Sequence, residues 1–200
     1  MLITSIDPGI INLAIVTFDT ELNKVIYCYL IDITLFPCKY GKCELKHKKC
    51  HSNFLEHVFI YYDFLFKCDI LLIEQQPIKG IVSIEQLIYD RFKNDIKCIL
   101  INPRQMHKHF NIGHYNYELR KKSTIKLAYE YLKDQKNYII SEKKDDLSDA
   151  LCYILFYRYS NLFEVSENIS ENVSENISEN ISEISFHDKI SKFKYNNQNN

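Results

Sequence analysis

The amino-acid sequence predicts an α/β fold built on a five-stranded mixed sheet, three antiparallel strands followed by two parallel ones, flanked by helices. Two observations carry this expectation. Three strand-like runs come first, joined by links too short for a crossover, which makes them neighbours in an antiparallel meander. Two compact apolar runs then alternate with amphipathic segments, the order that produces parallel crossovers.

The first three strands are read at Leu2 to Ile6, Asn12 to Phe18 and Lys24 to Ile33, with the turn-rich Asp19-Thr20-Glu21-Leu22-Asn23 between the second and third. An amphipathic helix is expected from Asn53 to Phe66. The continuous aliphatic runs Ile70 to Glu74 and Cys98 to Ile101 have the length and character of strands buried on both faces. Between them a helix spans Ser83 to Phe92, its start marked by Ser83 with Gln86 three residues on, the pattern of a capping box. Helices at Tyr117 to Leu132 and from Asp145 to about Tyr159 complete a domain of residues 1–163.

Beyond it lies a tail, 164–200, that repeats SENI SENV SENI SENI and ends rich in Asn. One apolar residue in four cannot offset the entropy of ordering, so the tail is expected to be disordered or weakly helical. Its Asn-x-Ser sequons at Asn168, Asn172, Asn176 and Asn180 are by-products of the repeat. The tail also distorts the charge. The net charge of −1 becomes +3 for the body, 22 basic against 19 acidic residues, once the tail's seven acids and three Lys are set aside. Such a body can meet nucleic acid without being compelled to.

With 46% hydrophobic and 14% aromatic residues the chain is a folded globular protein. No apolar run approaches the ~20 residues that cross a bilayer, so no membrane partner is expected. The turn signal Asp7-Pro8-Gly9 interrupts the start of the chain where a signal peptide would need its apolar core. The expected location is intracellular, with the seven cysteines mostly as thiols.

The chemistry is expected at four acids. Asp7 ends an apolar strand just where SIDPGIINLAIV turns, and Glu74 ends a second in LLIEQQP. Asp146 and Asp149, three apart at the start of a helix in KKDDLSDALCYILFY, share one face. Asp145, four before Asp149, is an alternative to Asp146. Singly, a strand-end Asp before Pro-Gly is a turn former and helix-start acids serve the dipole. Glu74 is harder to explain that way, because a carboxylate directly after four aliphatics risks burial without a partner. Four converging carboxylates would repel one another unless hard divalent cations sat between them, and two such ions ~4 Å apart activate water for phosphoryl displacement.

The order of SIDPGIINLA, LLIEQQP and DDLSDA resembles the RuvC-type Holliday junction resolvases, above all the poxvirus resolvases and their fungal mitochondrial relatives, over about residues 1 to 160. The resemblance implies an RNase H-like fold, a homodimer, and Mg2+-dependent paired nicking of four-way, branched DNA during recombination or the resolution of viral genome concatemers, with Mn2+ a plausible substitute. It implies Asp7, Glu74, Asp146 and Asp149 as metal ligands. It also places basic residues before the last acidic pair, where RKKSTIK offers Arg120, Lys121, Lys122 and Lys126, with Lys121 or Lys122 beside the scissile phosphate. A viral origin would put the protein in the host cytoplasm.

Weaker signals remain. Cys38, Cys43, His47, Cys50 and His51 could offer four zinc ligands, but no CxxC pair is present and the spacing matches no common finger. The alternative is a basic loop over DNA, with Lys39, Lys42, Lys46, Lys48 and Lys49 meeting phosphate. Arg104 and Lys108, with His107, His109 and His114, form a basic stretch after Pro103, read as a loop that contacts DNA. Aromatic runs such as Phe59-Ile60-Tyr61-Tyr62 have core spacing. Three rivals to a resolvase are a broader structure-specific or RNase H-type nuclease, a junction-binding protein without activity, and an actin-like ATPase. Four glycines and the short chain speak against the last.

Overall fold

The computed structural model describes residues 1–35 and 51–170. Five strands, β1 (Leu2–Asp7), β2 (Leu13–Asp19), β3 (Lys24–Ile31), β4 (Ile70–Glu74) and β5 (Lys97–Ile101), form one sheet in the order β3-β2-β1-β4-β5. β1, β2 and β3 pair antiparallel, while β1 with β4 and β4 with β5 pair parallel. This is the sheet the sequence predicts. The β2–β3 turn closes through Asn23, whose φ of 49° is a conformation Asn tolerates better than most residues.

The helices are α1 (His51–Tyr61), α2 (Val82–Phe92), α3 (Pro103–His109), α4 (Tyr117–Leu132), α5 (Lys136–Ile140) and α6 (Lys144–Ser170). Strand alternation divides them between two faces. Ile6, Ile15, Leu71 and Ile73 pack with Leu55, Val58 and Phe59 of α1 and Ile84, Ile88 and Phe92 of α2. On the other face Phe18 of β2 meets Tyr131 of α4 edge-on, and Asn137 of α5 donates to the Cys28 carbonyl of β3 at 2.7 Å. Leu147, Ala150, Leu151 and Ile154 of α6 are fully or almost fully buried.

The structure corrects several expectations. The segment expected as one helix from Asn53 to Phe66 ends its α-helix at Tyr61 and finishes as a separate 3-10 turn, Asp63–Phe66. The capping box is not made: α2 begins at Val82 after Ile81, with no side-chain cap, so Ser83 already lies inside the helix. The stretch after Pro103 is not a loop but α3, capped by Asn102, whose side chain accepts from the Arg104 N–H at 2.9 Å, with Pro103 at the first helical position.

Met1–Arg158 form one compact unit, and α6 spans Lys144–Ser170. The rest of the repeat and the Asn-rich end lie outside the described residues. So do Cys38, Cys43, His47 and Cys50 of the zinc alternative and the five lysines between 39 and 49. No described helix is long and apolar enough to cross a membrane.

Candidate active site

Parallel pairing of β1 with β4 brings the first two acids together. Ile6 is opposite Ile73, so Asp7 and Glu74, the next residues, end neighbouring strands side by side. The turn after Asp7 is tight: a Cβ on Gly9 would run into the backbone carbonyl of Asn12, which restricts the position after Asp7-Pro8 to glycine.

The second pair comes from a helix contact. The Cys152 Sγ lies 3.8 Å from the Thr124 carbonyl of α4. Asp149 is one turn before Cys152 and Lys121 one turn before Thr124, so this contact sets the lysine against the acid. The Lys121 ammonium reaches Asp149 Oδ2 at 2.7 Å, Asp146 Oδ1 at 3.2 Å and Asp145 Oδ2 at 3.3 Å. All four side chains are shielded: 20% of Lys121, 11% of Asp149, 18% of Asp146 and 23% of Asp145 is exposed.

Asp7, Glu74, Asp146, Asp149, Lys121 and Arg120 line one cleft of about 270 Å³ with Pro8, Gln76, Pro103, His107, Tyr117, Thr124 and Tyr153. Asp145 does not line it, which separates it from Asp146 where sequence spacing could not. Lys122, Lys126, Arg104 and Lys108 are exposed and stand outside the lining. Arg120 donates to the Tyr115 carbonyl at 2.7 Å.

The electrostatics are those of crowded carboxylates. Burial, then the hydrogen bond and charge of Glu74, hold the Asp7 carboxyl well above the usual range. Burial also raises Asp146, with Lys121 acting against it. For Lys121 burial opposes the charge, but Asp149, Asp146 and Asp145 outweigh it and keep the ammonium protonated more firmly than an ordinary lysine. Burial lowers His107, which Asp149 partly counters, so its imidazole favours the neutral form. Tyr153 is buried four residues after Asp149, and burial followed by the charges of Glu74 and Asp7 raises its hydroxyl.

Sequence reasoning did not assign Gln76, Tyr117, Thr124 or Tyr153 to the site, and placed His107 only in a basic loop. Tyr153 shares the α6 face of Asp146 and Asp149 at spacings of seven and four, the one signal that could have found it. Among the described residues no three acid, His or Cys side chains stand close enough, as arranged, to ligate one ion; the ammonium of Lys121 occupies the middle of the helical acids.

A mixed sheet of this order, with acids ending β1 and β4 and opening a later helix, defines a RuvC-like protein of the RNase H-like fold. Thermus thermophilus RuvC matches with a TM-score of 0.53 at 12% identity, over 80% of this chain and 97% of that chain. The yeast mitochondrial Holliday junction resolvase Ydc2 matches at 0.51 and 16%, over 80% and 83%. The fowlpox virus resolvase, solved with its substrate Holliday junction DNA, matches at 0.57 and 25%, over 81% and 99%. The chain belongs to the poxvirus A22 protein family, whose model matches residues 1–161. No curated protein sequence matches it.

Proposed function

We propose that this chain is an endonuclease that resolves four-way DNA junctions by paired phosphodiester hydrolysis, with residues 1–163 as the nuclease domain. One observation carries the reading: two strand ends and two helices deliver Asp7, Glu74, Asp146, Asp149 and Lys121 to a single cleft. Membership of the poxvirus A22 family, and the fold shared with a fowlpox virus resolvase solved on a Holliday junction, support the choice of DNA substrate.

The donor set fits a hard divalent cation, Mg2+ with Mn2+ as substitute, because every ligand is a carboxylate oxygen. Two features favour that fit. Asp149 Oδ1 is buried and without a hydrogen-bond partner, and burial beside Glu74 holds the Asp7 carboxyl well above the usual range, a penalty on its charge that a cation would relieve. When bound, a divalent cation would supply an activated water and neutralise charge on the phosphate. The chain's own groups then position the reaction. Asp7 and Glu74 are fixed by paired strands, while Lys121, drawn off its carboxylates, donates to a non-bridging phosphate oxygen. Breaking the bond on the 3′ oxygen side leaves a 5′ phosphate and a 3′ hydroxyl.

Exposed Arg104, Lys108, Lys122 and Lys126, with Arg120 at the cleft, would track the phosphate backbone and make affinity fall with salt. Paired cuts call for two such sites related by a two-fold axis, hence a homodimer; a viral origin would place it in the host cytoplasm. The deciding experiment incubates the chain and Mg2+ with a labelled four-way junction beside flap, duplex and RNA/DNA hybrid controls. Symmetric nicks confined to the junction are expected. Preferential cutting of the hybrid would replace this reading with an RNase H-type nuclease, and binding without cutting would reduce it to a junction-binding protein.

A further inference from the structure

One large side chain in the cleft belongs to none of the roles above. Tyr117 lines the cleft yet is 64% exposed, among the most open of the large apolar side chains described. Its place on α4 makes that exposure unusual. Thr124, Ala128 and Leu132 form the buried stripe of the helix, and the same stripe continued backward carries Lys121 and then Tyr117. The ring therefore stands on the inward-facing side of its helix, at the point where the core stops and the cleft begins. An outward-facing tyrosine would need no explanation; an inward-facing one that the protein leaves uncovered does.

The neighbours of the ring indicate what covers it. The Lys121 ammonium lies 5.7 Å from the ring centroid and 2.7 Å from Asp149 Oδ2, so one lysine head touches both the acid cluster and the aromatic surface. A phosphate engaged by that lysine would carry its own sugar and base, one nucleotide's reach away, towards Tyr117. Aromatic rings take bases of any sequence because every base has a π-face, and the lysine's charge over the ring adds to the attraction.

We infer that Tyr117 is a stacking platform for the nucleobase beside the scissile phosphate, an inference that rests on the nuclease reading of the same cleft. It has a consequence for substrate class. Inside a duplex both faces of each base are covered by the neighbouring pairs, so a side chain can stack only where that stack is already broken or cheaply opened. The site thus selects DNA with an unpaired or unstacked base next to the bond that is cut, as at a branch point, and rejects continuous duplex.

The test places 2-aminopurine, which brightens when unstacked, at each nucleotide flanking the cut in a four-way junction. Its fluorescence is read on binding the full chain in Ca2+, and cleavage is then followed in Mg2+. The wild-type chain should hold the probe dim at one flanking position. Tyr117→Ala and Tyr117→Leu should brighten it and slow cleavage about tenfold, the loss of one base–aromatic stack, while Tyr117→Phe and Tyr117→Trp keep both near wild type. Leucine preserves apolar bulk without a π-face, so it separates stacking from simple packing. Unchanged fluorescence and cleavage in Tyr117→Ala, with the wild type cutting junctions, would overturn the stacking platform alone. A wild-type chain that binds no branched DNA would overturn the nuclease reading and this one with it.

Discussion

Replacing Lys121 with methionine tests the central electrostatic claim, because one ammonium faces three carboxylates. Methionine keeps most of the side-chain length and removes the charge. The contacts of 2.7, 3.2 and 3.3 Å are shielded, with the lysine 20% exposed and its nearest acid 11%. Removing one partner of a fully buried ion pair costs about 3–5 kcal/mol, since it strands the opposite charge. Here the stranded acids keep some access to water and Asp146 can take up a proton, so the lower end, about 3 kcal/mol, applies. For a domain of this size that is a fall in Tm of about 6–12 °C in metal-free buffer. Magnesium should reverse the order of response. In the variant a divalent ion enters an unopposed acid cluster, and at a hundred times its Kd restores about 2.7 kcal/mol. In the wild type it must first displace the ammonium, so the gain is smaller. Differential scanning calorimetry with EDTA and with a MgCl2 titration measures both. A variant that melts within about 2 °C of wild type without metal, or a wild type stabilised by magnesium as strongly as the variant, would refute the reasoning.

Two further outcomes concern the acids themselves. Asp7→Asn should raise Tm at neutral pH without metal. A carboxyl whose folded pKa stands above its unfolded value near 3.8 contributes fully below that value and loses its contribution as pH climbs through the folded pKa. The advantage of Asn should therefore vanish on acidification towards pH 4, as melts in EDTA across a pH series will show, and a variant less stable than wild type at pH 7 would contradict it. Asp149→Asn should abolish junction cleavage while gel-shift affinity in Ca2+ stays within about threefold, since on the proposed reading this acid would hold a cation rather than contact the phosphate backbone. Residual cutting at wild-type rate would remove Asp149 from the site.

The sheet was legible because its signals are local. Each strand is an apolar run ended by a turn residue or an acid, and Asp7 and Glu74 stand out as carboxylates attached to runs that must be buried. The helical acids were visible as a pair, but Asp145 and Asp146 are adjacent, and only the angle at which α6 meets α4 decides which one lines the cleft. The same holds for Lys121 and Lys122: one helical position, 100° of rotation, separates a lysine among three acids from one in solvent. α3 was missed because two histidines, an arginine and a lysine resemble a basic loop, although Asn102-Pro103 is a strong helix start. Ser83 and Gln86 have capping-box spacing, but the chain enters α2 one residue earlier and leaves the serine no terminal N–H to cap. Tyr153 carried only its helical spacing from Asp146 and Asp149, and Tyr117 not even that, since tyrosines are abundant in this chain and tertiary placement sets these two at the cleft.

Period-two alternation ties stability and site together in a way that can be measured. Along β1 and β4, Ile6 and Ile73 face the α1–α2 layer while Asp7 and Glu74, one residue on, end the strands at the cleft. A slip of one residue in the β1–β4 register would exchange these faces, burying carboxylates in the aromatic cluster around Phe59, Phe66 and Phe92. The apolar layer is therefore what fixes the acids, although it touches no substrate. Ile73→Ala should test this. Ile73 is fully buried, so truncation removes packing and leaves a cavity, at a cost of about 2–5 kcal/mol. If the remaining hydrophobic contacts still enforce the register, the variant melts lower but cuts junctions at wild-type rate per folded molecule at 15 °C. If Ile73 itself were what holds the register, cleavage per folded molecule would fall along with Tm. A variant with wild-type Tm would show that Ile73 carries none of the packing credited to this layer.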